Sequence, residues 1–337
     1  MRPDRATRDF LTLVAIAVLV GAIVFCGAVG GVLVPLLLSR VSGHGLSALA
    51  NTSVLPAFVL LALVMAGIAL ATRSLARQLL ASRRLARYVS GRAQRLPGEL
   101  QFAAARAGLQ GRVTLVDAPG SFSFVYGLLT PRVAVSQGLV ETASANELSA
   151  VIEHERYHVQ NLDPLKIVLS RSLSAALFFL PVLDALRSRY TTDCELAADR
   201  QAVGRYGDRP LAGALVKAIR EPDWDELSVA ASIGGPDLLN IRVAQLETGV
   251  EPRLADVDHR RVALSILSTA LFAAVYLVSA DSLGGSAAVH RTTGNGLASA
   301  TALGGLGCGL PFAAMTISFY AIVAMRARRS SGYRLDS

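Results

Sequence analysis

Four long uncharged runs divide the chain: residues 10–38, 52–72, 262–280 and 297–325. A helix needs about 20 apolar residues to cross a bilayer, so each run predicts a transmembrane span. The first, Phe10 to Leu38, exceeds the apolar core of a signal peptide and ends in no Ala-x-Ala-like site. It therefore predicts a retained span and not a cleaved leader. Pro35 and Pro311 lie inside such runs, where kinks are tolerated.

Between the second and third runs the pattern changes. Arg112–Val116 and Arg132–Val135 are short β-branched stretches, and Ser121 to Tyr126 alternates polar with aromatic residues. A period of two predicts strands, and the turn residues around them predict a small sheet. Helices are expected next. Ser144-Ala-Asn-Glu147 fits a capping box ahead of Leu148, Val151, Ile152 and Val159. That run ends at Asn161-Leu162-Asp163-Pro164, where Asp163 can cap a second helix with Pro164 in its first turn. A further helix is expected over about 191–205.

Leu165 to Leu186 is apolar enough to suggest a fifth span, but Lys166 and Arg171 break it. The uncharged part, Ser172 to Leu183, covers only about 18 Å at 1.5 Å per residue. The expectation is a helix that does not cross, with Leu173, Leu177, Phe178 and Leu180 toward apolar surroundings and Pro181 bending it.

Composition agrees with this layout. Of 337 residues, 52% are hydrophobic and 17% charged, with a mean hydropathy of +0.46; soluble domains carry about 25% charged residues. The balance argues against a soluble protein, an acidic disordered chain and a nucleic-acid reader. The net charge of +8 is distributed as an orientation signal. Arg2, Arg5 and Arg8 precede the first run. Arg73, Arg77, Arg83, Arg84, Arg87, Arg92 and Arg95 follow the second, Arg260 and Arg261 precede the third, and Arg326, Arg328 and Arg329 follow the fourth. Positive-inside counting then puts both termini and the large middle region in the cytoplasm, with the arginines against lipid headgroups. The expected organisation is a membrane region over 1–72, a cytoplasmic domain over 73–261, a second membrane region over 262–325 and a tail over 326–337. Cys26, Cys194 and Cys308 are scattered, which suggests neither a disulfide framework nor a thiolate metal site.

The chemistry lies in His154-Glu155-Arg156-Tyr157-His158, an H-E-x-x-H pattern. With five histidines and ten glutamates in the chain, roughly 0.002 such matches arise by chance. On a helix, positions i and i+4 share a face, so two imidazoles can hold one ion. Zinc suits two nitrogens plus a carboxylate oxygen, with a fourth position for water. Glu155, about 100° round the helix, could take that water's proton during attack on a carbonyl. A third ligand is needed. Glu195-Leu-Ala-Ala-Asp199 repeats the i, i+4 logic, with Glu195 a candidate ligand and Asp199 a candidate acceptor for the free N–H of a ligand histidine. Cys194 reads as a buried thiol, and His44, His259 and His290 as bystanders. Arg200, Tyr157 and Tyr206 are candidate donors to transition-state charge. No charged residue interrupts the four runs, which argues against a transporter.

At these residues the chain resembles membrane gluzincin metallopeptidases of the penicillin-sensing BlaR type, in their short actinobacterial form. The matching pieces run from Gly111 to about Leu246. They include Phe124-Val-Tyr-Gly-Leu-Leu-Thr-Pro-Arg-Val-Ala-Val-Ser-Gln-Gly-Leu139, Glu147 to His158, Asp163-Pro-Leu165, Phe179-Leu-Pro181, Glu195 to Asp199, and Arg242-Val-Ala-Gln-Leu246. The heat-shock and prenyl-protein proteases of the HtpX kind share the zinc core and are a weaker match. The resemblance implies one zinc per chain on His154, His158 and Glu195, with Glu155 as the base. It also implies that an edge strand around 121–126 pairs with an extended substrate. After the fourth run only Arg326 to Ser337 remain, so a sensor domain of the BlaR kind is not expected.

The resulting expectation is an α+β gluzincin-like zinc-peptidase domain combined with about four transmembrane helices in the inner (plasma) membrane. Its partners would be a cytoplasmic or membrane-proximal protein substrate, such as a repressor, and membrane lipids, with no nucleic acid. The rivals are a quality-control protease of the HtpX kind and a non-catalytic scaffold whose zinc only holds the fold. Glu155 argues against the scaffold, because a structural zinc has no use for a base there.

Overall fold

The computed structural model describes residues 5–28, 55–219 and 236–289. Among them the chain is mostly helical with one small mixed sheet. Helix α1 (Arg5–Ala28) is followed by α2 (Leu55–Gly91) and strand β1 (Ala93–Gln94). Next come α3 (Gly98–Arg106), β2 (Val113–Val116), β3 (Ser123–Tyr126) and β4 (Arg132–Ser136). The helices α4 (Gln137–Thr142), α5 (Ala145–Asn161), α6 (Asp163–Ala176) and α7 (Pro181–Tyr206) follow. The last are α8 (Asp208–Ile219), α9 (Pro236–Thr248) and α10 (His259–Val289).

The chain divides into two compact units. One holds residues 1–13, 71–173 and 184–257; the other holds 14–70, 174–183 and 258–337. In the first, the sheet order is β1-β2-β4-β3. β2 runs parallel to β4, with Val113 opposite Val133, and β3 runs antiparallel to β4, with Ser123 opposite Val135. Strand alternation sends side chains to both faces. Val113, Leu115, Val133 and Val135 pack with Leu148, Val151 and Ile152 of α5 and with Leu100 of α3. Val116 and Ala134 face the other way, onto Phe122 and the end of α2 at Leu85, Tyr88 and Val89. β3 therefore stands at an edge of the sheet. Gly127 turns the chain after it at φ +87°, and a Cβ there would sit 2.8 Å from the Thr130 carbonyl oxygen.

The capping box forms as the sequence predicts. Ser144 Oγ accepts from the Glu147 N–H, and Glu147 Oε2 accepts from the Ser144 N–H at 2.6 Å. Helix α5 closes at Leu162 in the left-handed region (φ 54°), and Asp163 begins α6. The helix expected over 191–205 is longer, because it opens at Pro181. The two-residue strand β1 was not expected. It pairs with β2 and would be too short to register as a pattern.

Two helices among the described residues are long and apolar enough to cross a membrane, Arg5–Phe25 and Phe58–Gly91. They lie in α1 and α2, which contain the described parts of the first two predicted runs. The third run, 262–280, falls within α10; the fourth lies outside the described residues. Helix α10 also continues through 281–289, beyond the end of the third run.

The stretch 165–186 is not one helix. It breaks between α6 and α7 at residues 177–180, and Pro181 opens α7 instead of bending a continuous helix. Proline fits the first turn, where its missing N–H is not needed. Leu177 and Leu180 are buried, and Phe178 is 45% exposed to the surroundings of the protein. Its neighbour Phe179 turns inward and stacks on Phe272 of α10 at 4.5 Å. The Val182 N–H donates to Ser265 Oγ at 3.0 Å, and Gly67 of α2 lies against the Ala176 carbonyl.

Candidate metal centre

Helix α5 carries His154, Glu155 and His158, and the i, i+4 spacing brings the two imidazoles together. Their Nε2 atoms are 3.3 Å apart. Helix α7 supplies Glu195, whose Oε2 lies 3.4 Å from His154 Nε2 and whose Oε1 lies 3.6 Å from His158 Nε2. Asp199, one turn further along α7 and fully buried, places Oδ1 2.9 Å from His154 Nδ1. The five residues singled out from the sequence thus meet at one place.

Five further side chains complete the arrangement, and the sequence reading assigned none of them to the metal centre. Asp163 does for His158 what Asp199 does for His154: its Oδ2 lies 2.7 Å from His158 Nδ1. The buried Tyr190 hydroxyl donates to the other Asp163 oxygen at 2.9 Å. Arg242 of α9 grips Asp199 with two parallel bonds, Nε to Oδ2 and NH2 to Oδ1, both 2.8 Å. Its third nitrogen lies 3.2 Å from Glu195 Oε2. Ser123 Oγ on the edge strand donates to Glu155 Oε1 at 2.7 Å, which orients that carboxylate. Gln245 fastens α9 to α7 by donating to the Leu196 carbonyl at 3.0 Å.

The donor set fits a metal ion. With a carboxylate on each Nδ1, each neutral ring keeps its proton there and turns an Nε2 lone pair toward the other ring and Glu195. Three acceptors then converge without a donor between them. Tetrahedral coordination by N and O at about 2.0–2.2 Å separates ligand atoms by about 3.3–3.6 Å, and the three observed separations fall in that range. All three residues offer ligand atoms within one small volume. Electrostatics agree. Burial pulls the His154 pKa down, but the Asp199 and Glu195 carboxylates outweigh it and raise it to about 10. A raised His154 pKa means that a proton competes with a metal for its Nε2. Burial by itself would raise the Glu195 pKa, yet His154, His158 and Arg242 hold it well below the ordinary range. The Arg242 pKa is raised because the carboxylates outweigh its desolvation.

A cavity of about 510 Å³ opens over these residues. Glu155, Glu195 and the edge strand from Ser121 to Tyr126 line it, with Leu211, Leu239 and others as apolar wall. Arg200, Tyr157 and Tyr206 do not line it. Arg200 pairs with Glu251 at 2.8 Å, Tyr206 lies under the Arg106 guanidinium, and Tyr157 packs edge-on against the outer part of His158. Cys194 is buried as expected, and desolvation pushes its pKa well up, so it is a quiet thiol. His259 is the first residue of α10 and is not among the cavity-lining residues; His44 and His290 lie outside the described residues.

An H-E-x-x-H helix with a carboxylate ligand candidate on a later helix, under a cleft with an edge strand, is the arrangement of a metallopeptidase. Over residues 40–245 the chain matches the BlaR1 peptidase M56 family, and it belongs to that family. It is accordingly a membrane-associated metallopeptidase. Neither a curated protein nor a solved structure matches the chain.

Proposed function

We propose that the chain is a membrane-bound zinc endopeptidase that cuts a cytoplasmic or membrane-proximal protein, with regulatory cleavage, for example of a repressor, as its task. The observation that carries the reading is the convergence of His154 Nε2, His158 Nε2 and a Glu195 oxygen, with Glu155 beside them in the cleft. His154, His158 and Glu195 would hold one zinc, which supplies Lewis-acid polarisation of the peptide carbonyl and acidifies water. Glu155 receives the proton of the attacking water on a carboxylate oxygen and hands it to the departing nitrogen. Ser123 keeps that carboxylate aimed. Asp199 and Asp163 hold the two imidazoles in the Nδ1–H tautomer, and Arg242 holds Asp199 and Glu195. The free edge of β3 would accept the backbone of an extended substrate as an added strand.

The arginine distribution supports four spans in the plasma membrane, with both termini and the peptidase domain on the cytoplasmic side. Cells carrying Glu155→Gln in place of the wild type provide the test. The variant should retain its protein substrate, and proteomic comparison should find one cytoplasmic or membrane-proximal protein that is intact there and cut in the wild type. Identical proteomes would refute the reading.

A further inference from the structure

The ionisable side chains lining the cavity are nearly all committed to one another. His154 and His158 face Asp199 and Asp163, Glu195 sits between the imidazoles and Arg242, and Glu155 accepts from Ser123. Arg171 differs. It lines the same cavity from helix α6, and no hydrogen bond, ion pair or ring contact engages its guanidinium among the described residues. It is partly buried, and desolvation together with the nearby Arg187 lowers its pKa. Arg187 itself is paired with Asp184 at 2.6 Å, and among the described residues no carboxylate is paired with Arg171.

An unpaired, partly desolvated guanidinium is costly unless a ligand answers it. Its fork of donors matches a carboxylate in two parallel bonds. The position along the cleft follows from helix geometry. Asp163, Ile167 and Arg171 line the cavity at successive i+4 steps, so Arg171 lies eight residues, about 12 Å, along α6 from the residue that holds His158. An extended chain advances about 3.3 Å per residue. A chain extended along α6 would therefore reach Arg171 within about four residues of a bond held beside His158.

Resting on the endopeptidase reading above, we propose that Arg171 is a specificity-determining residue that receives an acidic side chain within about four residues of the scissile bond. The preferred substrates are thus segments with an aspartate or glutamate at one fixed distance from the cut.

The test uses the purified full-length protein, zinc-loaded, in nanodiscs of neutral and of anionic lipid. Acetylated and amidated peptides carry Asp, Glu, Asn, Gln or Lys at each of four positions on either side of the cut. The wild type should show one position where an acid raises kcat/KM over its amide by roughly 10- to 100-fold, the range of a charge-assisted hydrogen bond. Arg171→Lys should keep part of that preference, Arg171→Ala should erase it, and Arg171→Glu should reverse it in favour of Lys. A merely structural role cannot reverse a preference. Glu155-dependent cleavage that is indifferent to acid at every position, or equally acid-selective in all variants, overturns the Arg171 assignment and leaves the peptidase reading standing. An acid preference seen only with a free peptide C-terminus overturns it too. So does an Arg171→Ala effect confined to anionic nanodiscs, which would assign the guanidinium to lipid headgroups. Cleavage of no peptide overturns both readings.

Discussion

Replacing Asp163 by asparagine separates the role of the second imidazole's partner from its role in folding. Asp163 is buried and takes two donors at once, His158 Nδ1–H at 2.7 Å and the Tyr190 hydroxyl at 2.9 Å. An alanine would orphan both, and each buried donor left unpaired costs about 1–3 kcal/mol. The total of about 2–6 kcal/mol rivals the 5–15 kcal/mol stability typical of a folded domain, so alanine is too blunt. Asparagine keeps the shape and one acceptor oxygen. One donor then meets an amide NH₂ group, a loss of about 1–3 kcal/mol that a well-packed domain survives. The charge that makes His158 a better ligand is gone, and loss of such an outer partner typically weakens metal affinity 10- to 100-fold. The assay is competition with a chromogenic chelator at pH 7.5, comparing wild type, Asp163→Asn and Tyr190→Phe. Tyr190→Phe removes a donor and leaves the carboxylate on His158, so its zinc affinity should stay within about threefold of wild type. Equal affinities for all three proteins would refute the argument that Asp163 tunes the ligand.

Three other outcomes follow from the same geometry. Zinc uptake near pH 7.5 should release at least one proton per site. The metal-free His154 pKa of about 10 lies above its unfolded value, so its contribution to apo stability is fully present below about pH 6.5 and lost as pH rises through about 10. Calorimetry in buffers of different ionisation enthalpy counts those protons, and a count of zero would contradict the raised His154 pKa. Arg242→Met should destabilise the metal-free protein by about 3–5 kcal/mol, since it strands two buried carboxylates; denaturant titration in detergent reads the loss, and a change under 1 kcal/mol speaks against it. Ser123→Ala should lower kcat by a few-fold to about tenfold with zinc content unchanged, because only the aim of Glu155 is lost; an unaltered kcat would remove Ser123 from the site.

The part of the centre that was legible in the sequence is the part built by local spacing. His154 and His158 share a face because four residues make about one helical turn, and Glu195 and Asp199 repeat that step. The capping box at Ser144 and Glu147 is legible for the same reason. Asp163 was hidden because its carboxylate also suits a helix start, and a sequence cannot rank two uses of one side chain. The contact with His158 forms across the break between α5 and α6, where Leu162 takes a left-handed conformation. Arg242 lies 43 residues beyond Asp199 on a helix held by tertiary packing, so no periodicity connects them. Ser123 reaches Glu155 across 32 residues because β3 stands at the sheet edge. The different settings of Phe178 and Phe179 have a similar origin. Which of two adjacent aromatics turns inward depends on where α6 breaks, and the apolar pattern is the same either way.

The central claim is that His154 and His158 bind the metal while Glu155 performs the proton transfer. Zinc content and casein cleavage measured on the same purified preparations test both halves together. Wild type should hold one zinc per chain and cleave. Glu155→Gln should hold the same zinc and cleave at least about 100-fold more slowly, as expected for the loss of a general base. The double variant His154→Ala, His158→Ala should hold none. Unchanged zinc in the double variant, or cleavage by Glu155→Gln within about tenfold of wild type, would contradict the account.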